Sequence, residues 1–301
     1  MKPMKLEQLQ HFMSIVEHGS LRAAARRLDM PQPALTRSVR ALERGLGGML
    51  FARQTTGMQL TAEGQRFHLR ACAIVNEMRR AKEEMQSPGA DYSGSVSVAL
   101  SIMPHLSMLA YALPLFRQAY PNVNLEITES LLPAVEGDLR EGSLDFYLGA
   151  APRLKPSAGL RVDLLSENSR IVIGRKKHPL SRAKSLKSLD GAEWGTTAID
   201  HKAEEDLTRL FRLHGLAAPR VMVRAHSALS LMVVLAHTDL LAMVPRQWLE
   251  SDLTCDALHM ISIKEALPAP NIVLVRRPDF PLSPPAELLA DLMMRRCQQK
   301  N

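Results

Sequence analysis

A chain of 301 residues with 46% hydrophobic and 23% charged residues has the make-up of an ordinary globular protein of two or three domains, which excludes extensive disorder. No apolar run approaches the ~20 residues of a bilayer-spanning helix, and the start MKPMKLEQLQHF carries charges and no small-residue cleavage site. Cys72, Cys255 and Cys297 lie far apart without CxxC or zinc-type spacing, so the expectation is a reduced, cytoplasmic protein with no signal peptide, disulfide framework, metal or cofactor.

The formal charge of +7 is unevenly divided. Residues 1–89 hold 14 Lys and Arg against 8 Asp and Glu, whereas residues 90–301 hold 24 against 23. A small basic head on a near-neutral body suggests polyanion binding; a basic surface without a partner is the alternative.

In chain order, Leu6, Leu9, Phe12, Met13 and Val16 recur at helical spacing and form one apolar face. Gly19 ends this helix and Ser20 caps the next, whose short apolar face is Leu21, Ala24, Ala25 and Leu28. Asp29-Met30-Pro31 is a tight break before a third helix with Leu35, Val39 and Leu42 inward. Residues 45–60 (GLGGMLFARQTTGMQL) read as a strand, a turn and a return strand. Thr61 caps a long helix with Glu63 in its first turn, where negative charge suits the dipole.

That helix carries Phe67, Ala71, Ile74, Met78, Ala81 and Met85 at steps of four and three, the heptad seam of a dimerisation helix. An amphipathic helix packed on its own domain is the other reading. Ser87-Pro88-Gly89 ends it. Beyond lie strands at 95–100, 123–127, 144–150, 171–174, 221–224, 240–244 and 271–276. Helices fall at 105–119 (with a kink or restart at Pro114), 133–141, 203–214, 227–236 and 284–297. The alternation predicts an α/β body with mostly parallel sheets, and about 210 residues suggest two subdomains.

Helix, tight turn and helix over 20–43 form the helix-turn-helix pattern. With Leu35, Val39 and Leu42 buried, Pro33, Thr36, Arg37, Arg40 and Arg44 share the opposite side, with three arginines, a hydroxyl and no acid. Arginine can grip guanine bidentately or hold a phosphate, and Thr can bond a base edge or phosphate. Gln32 stands at the helix start, and the hairpin with Arg53 and Thr55 would be a wing on the flanking backbone. A three-helix bundle with a basic face is the alternative.

The stretches LEQLQHFMSIVEHGSLRAAARRLDMPQPALTRSVRALE and LGGMLFARQTTGMQLTAEG resemble the N-terminal domain of LysR-type transcriptional regulators over residues 6–86. The body is similar more loosely, through the strand leading to Ser101, FRQAYPNVNL, LDFYLGA, HPL and DLLAMVP. The resemblance implies a winged helix-turn-helix over 1–62 in which Ser20, Gln32, Pro33, Thr36, Arg37, Arg40, Arg53 and Thr55 face DNA. It implies a linker and dimerisation helix over 61–89 and an effector-binding domain over 90–301. That domain would comprise two Rossmann-like subdomains, about 90–162 with 268–301 and about 163–267, joined by two crossover strands as in periplasmic solute-binding proteins. Two departures stand out: the family usually has Ser where Pro31 and Thr36 stand. Thr36 keeps the hydroxyl; Pro31 loses the helix cap, leaving that task to Asp29 or water.

In open α/β sheets ligands lie beyond the carboxyl ends of strands, at helix N-termini. Three such corners are expected: Ser101-Ile102-Met103, Thr196-Thr197 and Ser227. Their hydroxyls and backbone N–H groups would suit a carboxylate or sulfonate, with Ile102, Met103, Phe146 and Met243 as an apolar wall. Ser101 and Ser227 could equally be plain N-caps. The effector expected is a small anion, an aromatic acid among the candidates. No GxSxG, HExxH, GxGxxG or Walker pattern occurs, which argues against an enzyme. The family implies a homodimer assembling to a tetramer, a near-palindromic double-stranded DNA site, and RNA polymerase as a partner. The rivals are an α/β enzyme or solute-binding protein with a basic arm, and an architectural DNA protein without a ligand.

Overall fold

The computed structural model describes residues 3–54, 57–86, 92–154, 156, 159–197, 203–249 and 256–299. The chain divides into two compact units, Met1–Gly94 with Gly137–Leu144, and Ser95–Glu136 with Asp145–Asn301.

In the first unit, α1 (Leu6–His18) ends at Gly19, whose φ of 68° is open to glycine without strain. Ser20 then caps α2 (Leu21–Arg27), its Oγ accepting from the Ala23 N–H at 3.1 Å. Asp29 adopts a left-handed φ of 49° in the turn to α3 (Gln32–Leu46). A two-stranded hairpin, β1 (Phe51–Gln54) and β2 (Gly57–Leu60), precedes α4 (Ala62–Gln86). Thr61 starts α4 by accepting from the Gly64 N–H (2.9 Å) while donating to the Met49 carbonyl (2.7 Å).

The core of this unit is built mainly from the helices and the first hairpin strand, with Leu9, Phe12 and Ile15 of α1, Leu35, Val39 and Leu42 of α3, Phe51 of β1 and Ala71 of α4 among its buried side chains. The Phe12 ring lies 5.2 Å from both Phe51 and Phe67. A buried ring of this kind contributes about 2–3 kcal/mol through area alone. Gly64 is dictated by packing, since a Cβ there would sit 2.0 Å from the Leu50 carbonyl oxygen.

The second unit contains β3 (Ser95–Leu100), α5 (Ile102–Pro104), a π-helical turn (His105–Leu109), α6 (Ala110–Ala119), β4 (Asn124–Glu129) and α7 (Leu132–Glu141), whose last turn falls in the first unit. Then come β5 (Phe146–Ala150), β6 (Arg161–Ser166), β7 (Arg170–Arg175), β8 (Glu193–Thr197), α8 (Ala203–Leu213), β9 (Arg220–Ala225) and α9 (Ala228–His237). The chain finishes with β10 (Ala242–Pro245), β11 (Leu258–Ile261), β12 (Ile272–Arg276) and α10 (Pro284–Gln299). The irregularity expected at Pro114 comes earlier in the chain, as the π turn, and Pro114 lies inside α6.

The first sheet has the order β4-β3-β5-β12-β6. β3 runs parallel to β4 and β5, but β12 is antiparallel to both its neighbours. In the second subdomain β7 is antiparallel to β10 and β11, while β8 and β9 are parallel. The Gly195 N–H to Leu241 carbonyl bond (2.8 Å) and the Leu241 N–H to Glu193 carbonyl bond (2.9 Å) stitch β8 to the strand leading into β10. The sheets are therefore mixed rather than mostly parallel. Parallel pairing needs a crossover laid on the same sheet, and β12 follows a strand of the other sheet instead.

Candidate DNA-reading face and effector pocket

Along α3, Leu35, Val39 and Leu42 are buried, and Gln32, Pro33, Arg37, Arg40 and Arg44 are exposed on the other side. Thr36 is half-buried; its hydroxyl donates to the Gln32 carbonyl at 2.9 Å, which leaves the oxygen's lone pairs to accept. Pro31 supplies no side-chain cap, and neither does Asp29; the Pro31 carbonyl instead accepts from Ala34 and Leu35. A concave strip continues the arginine row past Gly47, Gly48 and Met49.

The acid on this helix, Glu43, does not spoil the positive field because it is turned inward. Its Oε1 accepts from the Leu50 N–H (2.9 Å) and the Phe51 N–H (3.3 Å), which fastens the hairpin to α3. The hairpin's other anchor is the Met58 N–H to Gly19 carbonyl bond, 3.0 Å long. Gly57 allows that approach: its φ is 123°, and a Cβ would lie 2.7 Å from the Gly19 oxygen. The Arg53 backbone pairs with Met58, and its side chain is outside the description. Thr55 lies outside the described residues.

The expected seam of α4 splits in two. Ala71 is fully buried in the core of its own unit, and Phe67 packs against that core. Ile74, Met78, Ala81 and Met85 remain exposed at steps of four, three and four, with Met85 82% exposed. Ala71 is thus a correction: α1 and the hairpin already occupy the face that a partner would need.

In the second unit a pocket of about 110 Å³ opens at the carboxyl ends of the parallel strands. Ser101, Ile102 and Met103 follow β3, Ser130 and Leu131 follow β4, and Ala150 and Thr197 end β5 and β8. Met243, Val244 and Trp248 wall it, with Asn168 and Arg170 from the crossing strand. Ser101 is buried; its Oγ accepts from the Ala150 N–H at 3.3 Å and retains its own proton to donate.

Three expected residues do not line it. Phe146 begins β5, at the end away from the ligand edge, and is buried in the core. Thr196 points opposite to Thr197 by strand alternation and donates to the Thr197 carbonyl (3.3 Å). Ser227 caps α9 through the Ser230 N–H (3.1 Å), and Ala228 reaches the pocket instead.

Arg170 and its surroundings were not foreseen. Its Nη1 donates to Asp206 Oδ2 at 3.0 Å, and Arg153 and Arg209 bind the same carboxylate. Burial of Asp206 opposes its ionisation, but hydrogen bonds from Arg153 and Arg170 outweigh that and hold its pKa below the ordinary carboxylate value. Three guanidinium groups around one carboxylate leave net positive charge beside the pocket. Glu129, also on the lining, is exposed. Asp206 and Arg209 are three apart on α8, but nothing local in the sequence links them to positions 153 and 170.

Comparison with known proteins fits both regions. Residues 6–65 match the family described as "Bacterial regulatory helix-turn-helix protein, lysR family", and residues 89–298 match "LysR substrate binding domain". The HTH-type transcriptional regulator TdcA of Escherichia coli (strain K12) is 22% identical over 288 residues, covering 96% of this chain and 92% of that protein. The SDS degradation transcriptional activation protein of a Pseudomonas species is 26% identical over 296 residues, covering 96% and 95%.

Among solved structures, a full-length OxyR from Pseudomonas aeruginosa superposes with a TM-score of 0.69 at 19% identity, covering 97% of this chain and 95% of that one. Full-length CbnR complexed with its target DNA gives 0.65 at 21%, covering 97% and 100%. At these identities the structural likeness speaks for the fold. Among the described residues no helix is long and apolar enough to cross a membrane. With family matches across both units, this chain belongs to the LysR-type transcriptional regulators, a family of regulators and not of enzymes, with a DNA-binding helix-turn-helix followed by an effector-binding domain.

Proposed function

We propose that this protein is a one-component cytoplasmic regulator that reads a near-palindromic promoter site as a homodimer, assembling to a tetramer. In this reading the domains are a reading head over 1–62, a linker helix over 61–89 and a sensor over 90–301. The arginine row of α3 lies in the major groove, with Arg37 and Arg40 on base edges or phosphates and the wing on the flanking backbone. The observation that carries this reading is a helix face with Arg37, Arg40 and Arg44 exposed while its one acid is turned inward. The exposed Ile74, Met78, Ala81 and Met85 stripe pairs with a second copy.

The effector is a small anion. Ser101 and Thr197 offer hydroxyls, and the Arg170 cluster supplies positive potential. Benzene fills an engineered cavity of about 150 Å³. A site of about 110 Å³ therefore suits a compact aliphatic carboxylate, and an aromatic acid needs the subdomains to part. Effector binding shifts the balance between two arrangements and so changes DNA bending and access for RNA polymerase.

The test is a thermal shift of the full chain with a panel of small carboxylates and sulfonates, repeated on Ser101→Ala and Thr197→Val. A true effector raises the melting temperature of the wild type and loses most of that shift in both variants. An equal shift in all three proteins would remove the pocket assignment.

A further inference from the structure

On one face of α4, His68 and Cys72 are four residues apart, and Glu141 reaches them from the end of α7 within the same unit. His68 Nε2 lies 3.4 Å from Cys72 Sγ, and His68 Nδ1 lies 3.8 Å from a Glu141 carboxylate oxygen. One donor atom from each of the three side chains lies within 4.8 Å of the other two. Among the described residues no other three His, Cys, Asp or Glu side chains converge in this way.

We propose that His68, Cys72 and Glu141 form a binding site for a zinc-class divalent cation, with water in the fourth position. A tetrahedral zinc site with bonds of about 2.0–2.3 Å has ligand-to-ligand edges of roughly 3.3–3.8 Å. The Cys72 Sγ–His68 Nε2 edge already has that length; Glu141, whose 3.8 Å contact is with the other ring nitrogen, Nδ1, closes the site by turning its carboxylate toward the sulfur and Nε2, from within 4.8 Å. The donor set of thiolate, imidazole and carboxylate is one that zinc favours and that magnesium and calcium do not.

Three further observations fit. Cys72 is a free thiol, buried, so no disulfide competes for it. The backbone under Glu141 is held in place, its carbonyl accepting from Asn76 (2.9 Å) and the next one, of Gly142, from Arg80 (2.8 Å). His68 and Glu141 each keep about a quarter of their side-chain surface exposed, which leaves an entry path. On binding, the Cys72 sulfur exchanges its proton, released to solvent, for the metal. The ion then ties the 137–144 segment to the helix expected to pair two chains, and metal occupancy becomes an input separate from the effector pocket.

The experiment uses the full-length protein stripped of metal and titrated with cobalt(II). The expected result is one equivalent bound, with a near-ultraviolet thiolate-to-cobalt charge-transfer band and intense visible bands of a tetrahedral site, both displaced by zinc. Cys72→Ser should abolish the charge-transfer band. His68→Ala and Glu141→Gln should each weaken binding at least ~10-fold, the low end of what even an outer-shell loss costs. A Cys255→Ser/Cys297→Ser double variant should keep the band. X-ray absorption of the zinc-loaded wild type, which needs no variant, should find one sulfur among nitrogen and oxygen ligands. A wild type without the charge-transfer band, a band that survives Cys72→Ser, or affinity unmoved by Glu141→Gln would overturn the site and leave a plain thiol–imidazole hydrogen bond beside a carboxylate.

Discussion

Glu43 sits in the sequence as one more charge on a helix, yet the residue is only 7% exposed and its carboxylate accepts from two backbone N–H groups, those of Leu50 and Phe51 at the start of the hairpin. Glu43→Ala would strand both donors, and unfolding in urea should show a loss of about 1–3 kcal/mol. Arg37 makes the opposite case: exposed and without a structural duty, it should leave the urea midpoint unchanged. Arg37→Ala should cost ~1–3 kcal/mol on the cognate duplex if the side chain reads a base, and equal losses on random DNA would reduce it to a phosphate contact. Asp206 binds three arginines, and its folded pKa is depressed. Its contribution is therefore complete above the ordinary carboxylate pKa and fades as pH falls through the folded value. Asp206→Asn should lower stability at pH 7 by about 2 kcal/mol, less than the 3–5 of a fully buried pair because Arg153 and Arg209 reach solvent. The gap to wild type should narrow below about pH 4, which paired urea melts at pH 7 and pH 3 would measure.

Among the elements, α4 has one face committed to its own fold and one left over. Ala71→Leu adds bulk to a filled core and should lower the melting temperature, costing about 1–3 kcal/mol, without altering mass in solution. Ile74→Asp lies on the exposed stripe and should do the reverse, converting a dimer to a monomer in light scattering with little change in each chain's own fold. An unchanged dimer would dismiss the stripe as an interface. This division also marks the limit of sequence reading. Helical period finds α1 to α4 because each has one apolar face, but a step of 3.5 residues does not say whether core or partner lies opposite. The same holds in the sensor. The strand leading to Ser101 was legible from hydropathy, and Thr196-Thr197 was expected as a second corner, so the pocket's general place was legible too. β6 was missed because Val162 and Leu164 are exposed apolar residues among charges, and β12's direction depends on where the chain returns from. Phe146 and Thr196 were misplaced for want of strand bounds: Phe146 starts its strand, away from the ligand edge, and for Thr196 one residue of alternation turns the side chain to the other face. Arg170 and Asp206 meet only through tertiary folding, as do Cys72 and Glu141.

For the whole molecule, the uneven division of charge has a measurable consequence. The net charge of +6 over residues 1–89 and +1 over the rest confines the attraction for DNA to the small head. Each head offers Arg37, Arg40 and Arg44 on one exposed helix face. A dimer placing all three against phosphate-rich DNA on both half-sites neutralises roughly six phosphates, and log Kobs should then fall against log salt with a slope near −5. Between 50 and 200 mM salt that amounts to roughly a thousandfold in affinity. Fluorescence anisotropy on a duplex from the protein's own upstream region, titrated over that range, measures the slope directly. Arg44→Ala should make the slope shallower by about two, one phosphate per half-site, whether the duplex is cognate or random. Ile74→Asp should halve the slope, because a single head then binds alone. A slope near zero in the wild type would show that the arginine row does not meet a phosphate backbone. A steep slope indifferent to Ile74→Asp would show that heads bind independently and that pairing through α4 does not set the reading frame on DNA.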